Sequence, residues 1–96
     1  ASETKVIEAP RMAATLSRED IKRLRDVVRR SETRQARIEE LLRRVEQKLA
    51  DPALYEGGSA ADAAKLMKEQ AELREELARV EEAWLEASGQ LEAQGA

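Results

Sequence analysis

Apolar residues recur at an unbroken three-four spacing through two long runs of this chain, and one short interruption separates the runs. With Ile21 as position a, the first seam reads Ile21, Leu24, Val28, Ser31, Gln35, Ile38, Leu42, Val45 and Leu49. The second reads Ala63, Leu66, Gln70, Leu73, Leu77, Val80, Trp84, Ala87 and Leu91. A repeat averaging about 3.5 residues keeps every member on one stripe of a slightly underwound helix, and that stripe needs a partner stripe to cover it. Ser31 and Gln35 are the polar breaks in the first seam. Each arm would be about 50 Å long, and an isolated helix of that length draws most of its stability from such a partner.

The interruption runs from Leu49 to Ser59. Pro52 cannot continue a helix, because it lacks an N–H and its ring clashes with the carbonyl four residues back. It also pushes Asp51 out of the α region. Gly57 and Gly58 add backbone freedom. Two seams of equal length on a short hinge fold back most simply as a hairpin. Folding about residue 56 sets Leu49 opposite Ala63, Val45 opposite Leu66, Ile38 opposite Leu73, Ser31 opposite Val80, Val28 opposite Trp84 and Ile21 opposite Leu91. The expected fold is therefore all-α, an antiparallel two-helix coiled-coil hairpin over residues 16–94. Helix 1 covers about 17–50, the hinge 51–58 and helix 2 about 59–92. Residues 1–15 show neither helical nor strand period and are expected to form a linker or disordered tail.

Local signals refine the ends. Ser17 is placed to cap the first helix, with Asp20 as the reciprocal partner of a short capping box and Leu16 with Ile21 as a hydrophobic staple. Ser59, with Asp62 three residues later, reads as the start of the second helix. Asp51-Pro52 reads as an N-cap and first-position pair opening one helical turn over Ala53 to Tyr55. Leu54 and Tyr55 are then expected to fold onto Leu49 and Met67 and close the hairpin's end, with the Tyr55 hydroxyl in water; the competing reading makes Tyr55 a contact residue at the tip. Trp84 is expected inside the seam, near the small Ser31. Gly89 costs about 1 kcal/mol against alanine, and residues 94–96 are expected to fray.

Composition excludes whole classes of chemistry. Charged residues make up 39% of the chain, and there is no His, Cys or Phe. The commonest general base, thiolate nucleophiles and transition-metal ligands are thus missing. Adjacent carboxylates such as Glu39-Glu40, Glu75-Glu76 and Glu81-Glu82 sit on solvated faces without a pocket to raise a pKa. Gly57-Gly58-Ser59 has no accompanying phosphate-loop pattern. A non-enzymatic chain that needs no cofactor or metal is expected. No apolar run reaches the roughly 18 residues of a membrane span, so the expectation is a soluble, cytoplasmic protein.

Charge is divided unevenly. Residues 17–49 hold 11 basic and 7 acidic side chains, whereas residues 50–96 hold 4 basic and 11 acidic. Opposite arms attract across a hairpin, and Arg25 and Arg34, which flank the seam, can reach the acidic arm. Lys22, Arg23, Arg29, Arg30 and Arg37 occupy the b and c positions, facing away from the partner. They form a solvent-facing ridge about 20 Å long. Its arginines suit two-pronged phosphate contacts, and the competing reading is an ordinary solvated face. Without interleaved aromatics, any nucleic-acid binding would follow backbone and shape rather than sequence. Glu39/Arg43, Glu40/Arg44 and Glu75/Arg79 have the favourable i,i+4 order for surface ion pairs. Off the seam, Val27, Leu41 and Leu85 are apolar and could seat another helix.

The hinge wording Leu49-Ala50-Asp51-Pro52-Ala53-Leu54-Tyr55, followed by Leu73-Arg74-Glu75-Glu76-Leu77 and Glu81-Glu82-Ala83-Trp84-Leu85-Glu86, resembles the C-terminal coiled-coil domain of ABC-F ATPases, especially the Uup type. The Leu16-Ser17 start before a basic helix is also similar, and the resemblance covers roughly residues 16–92. It implies an antiparallel two-helix domain following tandem ATP-binding domains. It further implies soluble ATPases acting on ribosomes, with the Uup terminal domain linked to DNA binding. None of the ATPase motifs lies in this chain. The functional expectation is a non-catalytic domain that binds nucleic acid, DNA or ribosomal RNA, through Lys22, Arg23, Arg29, Arg30 and Arg37, with the upstream ATP-binding domains as partners. The alternative is a protein-interaction coiled coil, forming a weak dimer and binding no nucleic acid.

Overall fold

The computed structural model describes residues 16–56 and 60–95. The tail at 1–15, the hinge residues Gly57 and Gly58, the predicted cap Ser59 and the terminal Ala96 lie outside them. Among the described residues three helices follow in order: α1 (Arg18–Ala50), α2 (Pro52–Glu56) and α3 (Ala60–Ala93). The two long helices pack against one another as a hairpin, and α2 sits at its closed end, touching both.

The seam explains the packing. Every seam position on α1 and α3 is buried or half-buried. Ile38 is fully enclosed, and Ser31, Leu42, Val45, Ala63 and Ala87 are buried with it. The large leucines of α3 remain half-buried. Two helices alone offer one contact stripe each, so a small alanine can be covered where a leucine keeps one edge in water. The predicted register places Ser31 opposite Val80 and Leu24 opposite Ala87, and each of these pairs lines a common surface groove between the arms.

Cross-arm charges follow the same register. The Arg34 Nε donates to Glu76 Oε2 at 2.7 Å, and its Nη2 reaches the same oxygen. Arg74 pairs with Glu46 at 3.5 Å. Arg25 does not join them: among the described residues it has no ion pair. Of the three i,i+4 pairs expected within helices, Glu40 with Arg44 forms, at 3.3 Å. Glu39 instead accepts a long hydrogen bond from the Gln35 amide at 3.5 Å.

The α1 start follows its sequence signal closely. The Ser17 Oγ accepts from the Asp20 N–H at 3.0 Å, and Asp20 Oδ2 accepts from the Ser17 N–H at 3.2 Å. Together they satisfy two groups that the first turn would leave unpaired. Leu16 and Ile21 are both half-buried, as a staple requires.

Asp51 closes one helix and opens the next. Its backbone is extended, with φ −79° and ψ 119°. Its N–H donates to the Lys48 carbonyl at 3.3 Å, and its own carbonyl accepts from Leu54 N–H at 3.1 Å. Its Oδ1 accepts from the Ala53 N–H at 3.0 Å, the role of an N-cap before proline at the first helical position.

The closed end departs from expectation. Leu54 is half-buried and serves as the plug, but Tyr55 and Met67 are both more than half exposed. The Tyr55 hydroxyl is not left in water; it donates to the Leu49 carbonyl at 2.8 Å. Carbonyls in the last turn of a helix lack intrahelical partners, and holding the hydroxyl on one of them leaves the ring outside. The far end of α3 is capped rather than frayed. Gln94 N–H donates to Leu91 O at 3.1 Å and Gly95 N–H to Glu92 O at 2.9 Å. Gly95 adopts φ +74°, the left-handed conformation that ends helices and that glycine adopts without steric cost.

Candidate nucleic-acid interface

The ridge residues lie where the heptad puts them. Lys22, Arg23, Arg29, Arg30 and Arg37 are all exposed on α1, and Arg30 also borders the groove between the arms beside Glu76 and Arg79. Their charges are not bare. Arg23 pairs with Asp20, and Asp26 holds both Arg29 at 2.5 Å and Arg30 at 3.4 Å. Arg37 pairs with Glu40 at 2.9 Å. Lys22 has no ion pair among the described residues. These contacts are surface contacts: the side chains of Arg23, Arg29 and Arg30 are each 72% exposed. Exposed pairs of this kind are worth roughly 0–1 kcal/mol, so an incoming phosphate competes with a weak partner.

Three of the five predicted cations come together. Arg29, Arg30 and Arg37 line one shallow depression, joined by Arg34 and Thr33. Lys22 and Arg23 lie nearer the helix start and do not line it. Arg34 is held from the other arm by Glu76, which fixes its stem beside the cluster. The Thr33 hydroxyl donates to the Arg29 carbonyl at 3.1 Å, the back-bond typical of threonine inside a helix. Position b/c counting alone does not include residues 33 and 34. The signal for them is the spacing 29, 30, 33, 34, 37, which is one helical face at i, i+1, i+4, i+5 and i+8.

Charge also shapes the start of the ridge. The Asp20 carboxyl is held below its ordinary range, chiefly by the backbone hydrogen bond from Ser17, then by the Ser17 side chain and by Arg23. It stays ionised and keeps Arg23 occupied.

A second surface was not legible in the sequence. Trp84 holds a seam position, yet it is only half-buried. Its indole N–H donates to Glu32 Oε2 at 3.0 Å, so the ring leans across the edge of α1 instead of filling the seam beside Ser31. An indole is too large for a two-helix seam to enclose, and its N–H needs an acceptor. The result is a groove lined by Trp84, Leu85, Glu32, Gln35 and Glu81. Leu85 is 64% exposed there. Val27, by contrast, borders a different groove beside Ala83, and Leu41 is half-buried. The three off-seam apolar residues therefore do not form a single seat for another helix.

Among the described residues no group of carboxylates is arranged to hold a metal ion, and no helix is long and apolar enough to cross a membrane. No family model matches the chain, and no curated protein or solved structure matches it. The likeness to ABC-F coiled coils stands on the residues quoted for it alone.

Proposed function

We propose that this hairpin is a non-catalytic nucleic-acid-binding element, of the kind found at the C-terminus of Uup-type ABC-F ATPases, and that it engages DNA or ribosomal RNA through the outer face of α1. The observation that carries this reading is the convergence of Arg29, Arg30 and Arg37 with Arg34 and Thr33 in one open depression. Guanidinium groups on a rigid helix, each tied only to a weak surface partner, suit phosphate oxygens. Lys22 and Arg23 extend the same face toward the helix start. In the parent protein the ATP-binding domains would lie upstream and position the hairpin on its target.

Binding should be insensitive to base sequence and strongly dependent on salt. Five neutralised phosphates give a slope of about −4.5 in log affinity against log salt. Fluorescence anisotropy with labelled duplex and single strands would measure it. Replacing Arg29, Arg30 and Arg37 together by alanine should make the slope shallower by about 2.7. Absence of binding at about 50 mM salt, where such contacts are strong, would overturn the reading. A second reading, a protein-interaction coiled coil without nucleic-acid binding, draws on the exposure of Leu85 beside Trp84. A concentration-dependent dimer in sedimentation would favour it.

A further inference from the structure

The groove at Trp84 has a chemistry of its own, distinct from that of the basic ridge. Its floor is apolar, from the indole and Leu85, and its polar walls are Glu32, Glu81 and the Gln35 amide. Neither Glu32 nor Glu81 has an ion pair among the described residues, whereas Asp20, Asp26 and Glu40 beside the ridge are paired. Glu32 fixes the ring by accepting the indole N–H through Oε2, and a carboxylate has acceptor capacity left after one such bond. An ordered aromatic face between two uncompensated carboxylates is complementary to a planar cation. Arginine can lay its planar guanidinium on tryptophan while the in-plane N–H groups donate to carboxylates, whereas lysine offers only a compact ammonium with no planar face.

We infer that this groove is a docking site for an arginine side chain presented by a basic segment of a partner protein. The inference gives the protein-interaction reading a partner chemistry, and it does not depend on nucleic-acid binding, which uses the opposite charge on another face. Charge complementarity selects the occupant. Residues 50–96 carry 11 acidic against 4 basic side chains, so the surroundings of α3 steer a basic segment toward the groove while repelling an acidic one. The guanidinium lies over the Trp84 ring, and Glu32 and Glu81 close on its edges.

Trp84 is the sole tryptophan of the chain, so its emission reports the site directly. The test is a titration of the full chain with a blocked hexa-arginine peptide, following Trp84 fluorescence. Saturable change in emission is expected, with hexa-arginine binding roughly threefold more tightly than hexa-lysine of equal charge, as stacking on an exposed indole provides. The Glu32→Gln, Glu81→Gln double variant keeps an acceptor for the indole N–H and should weaken binding about tenfold. A charge-matched control, Glu69→Gln with Glu72→Gln, should leave it within about twofold. Circular dichroism confirms that each variant remains folded. Equal losses in the two double variants, or no preference for arginine, would overturn the inference in favour of diffuse attraction. A Trp84 emission change on dilution of the chain alone would overturn it too, because a second copy would then fill the groove. A concentration-independent monomer that binds neither peptide would remove the protein-interaction reading together with the inference. A concentration-dependent dimer would remove the inference alone.

Discussion

Ile38 and Trp84 both hold seam positions but contribute to stability in different ways. Ile38 is fully enclosed, so Ile38→Ala removes burial and leaves a cavity, at a cost of about 2–5 kcal/mol. Trp84 keeps part of its ring in water and anchors its N–H on an exposed glutamate. Trp84→Ala should therefore cost only about 2 kcal/mol, below the usual range for a buried aromatic. Urea denaturation of both variants measures the order; a larger loss at Trp84 would contradict the geometry. At the other end of α1, Asp20 supplies a pH dependence. Its carboxyl titrates below the ordinary 3.8, mainly because the Ser17 N–H stabilises the charged form. A group whose folded value is depressed contributes stability that is present above its unfolded value and lost as pH falls through the folded one. Circular dichroism across the acid range should thus show the wild type losing more of its advantage over Asp20→Asn as the pH drops below about 4. Loss of that advantage on the alkaline side instead would contradict the assignment.

Among the elements, α3 carries an avoidable weakness. A methyl group added at Gly89 would meet nothing within 4 Å, and the residue lies in helical backbone well before the cap at Gly95. Gly89→Ala should raise stability by about 1 kcal/mol, seen as a shift in thermal midpoint; a fall would imply a contact that the packing does not show. The helices themselves were readable because their signals are periodic or local. The three-four seam needs only residue order to reveal which face is covered, and Ser17-Asp20 and Asp51-Pro52 act within a few residues of themselves. What escaped depends on side-chain direction. A heptad assigns Trp84 a position but not the torsion that swings its ring toward Glu32. It likewise lists the arginines of α1 without saying which carboxylate each one takes, so the i,i+3 and i,i+4 spacings of Asp26 to Arg29 and Arg30 did not reveal that one carboxylate holds both. Tyr55 escaped for a related reason. Its hydroxyl answers an unpaired carbonyl at Leu49, a demand that arises only once α1 has ended.

For the molecule as a whole, the seam is closed within one chain. Every stripe residue of α1 is buried or half-buried, the two long helices pack on one another, and the cross-arm pairs Arg34–Glu76 and Arg74–Glu46 join helices of the same hairpin. Folding is then unimolecular, and the melting temperature should not move on tenfold dilution; an obligate dimer would melt lower as concentration falls. The hairpin topology also brings the Ser17 cap and the Gly95 cap to one end, while the Asp51 junction and α2 occupy the other. The span between them is about 50 Å at 1.5 Å per helical residue. Held at its capped end, such a hairpin would act as a lever. Rotation of the capped end by about 10° sweeps the Asp51 corner through about 9 Å, several base-stacking distances, for an arm of that length. A small turn at the root thus becomes a large displacement at the tip.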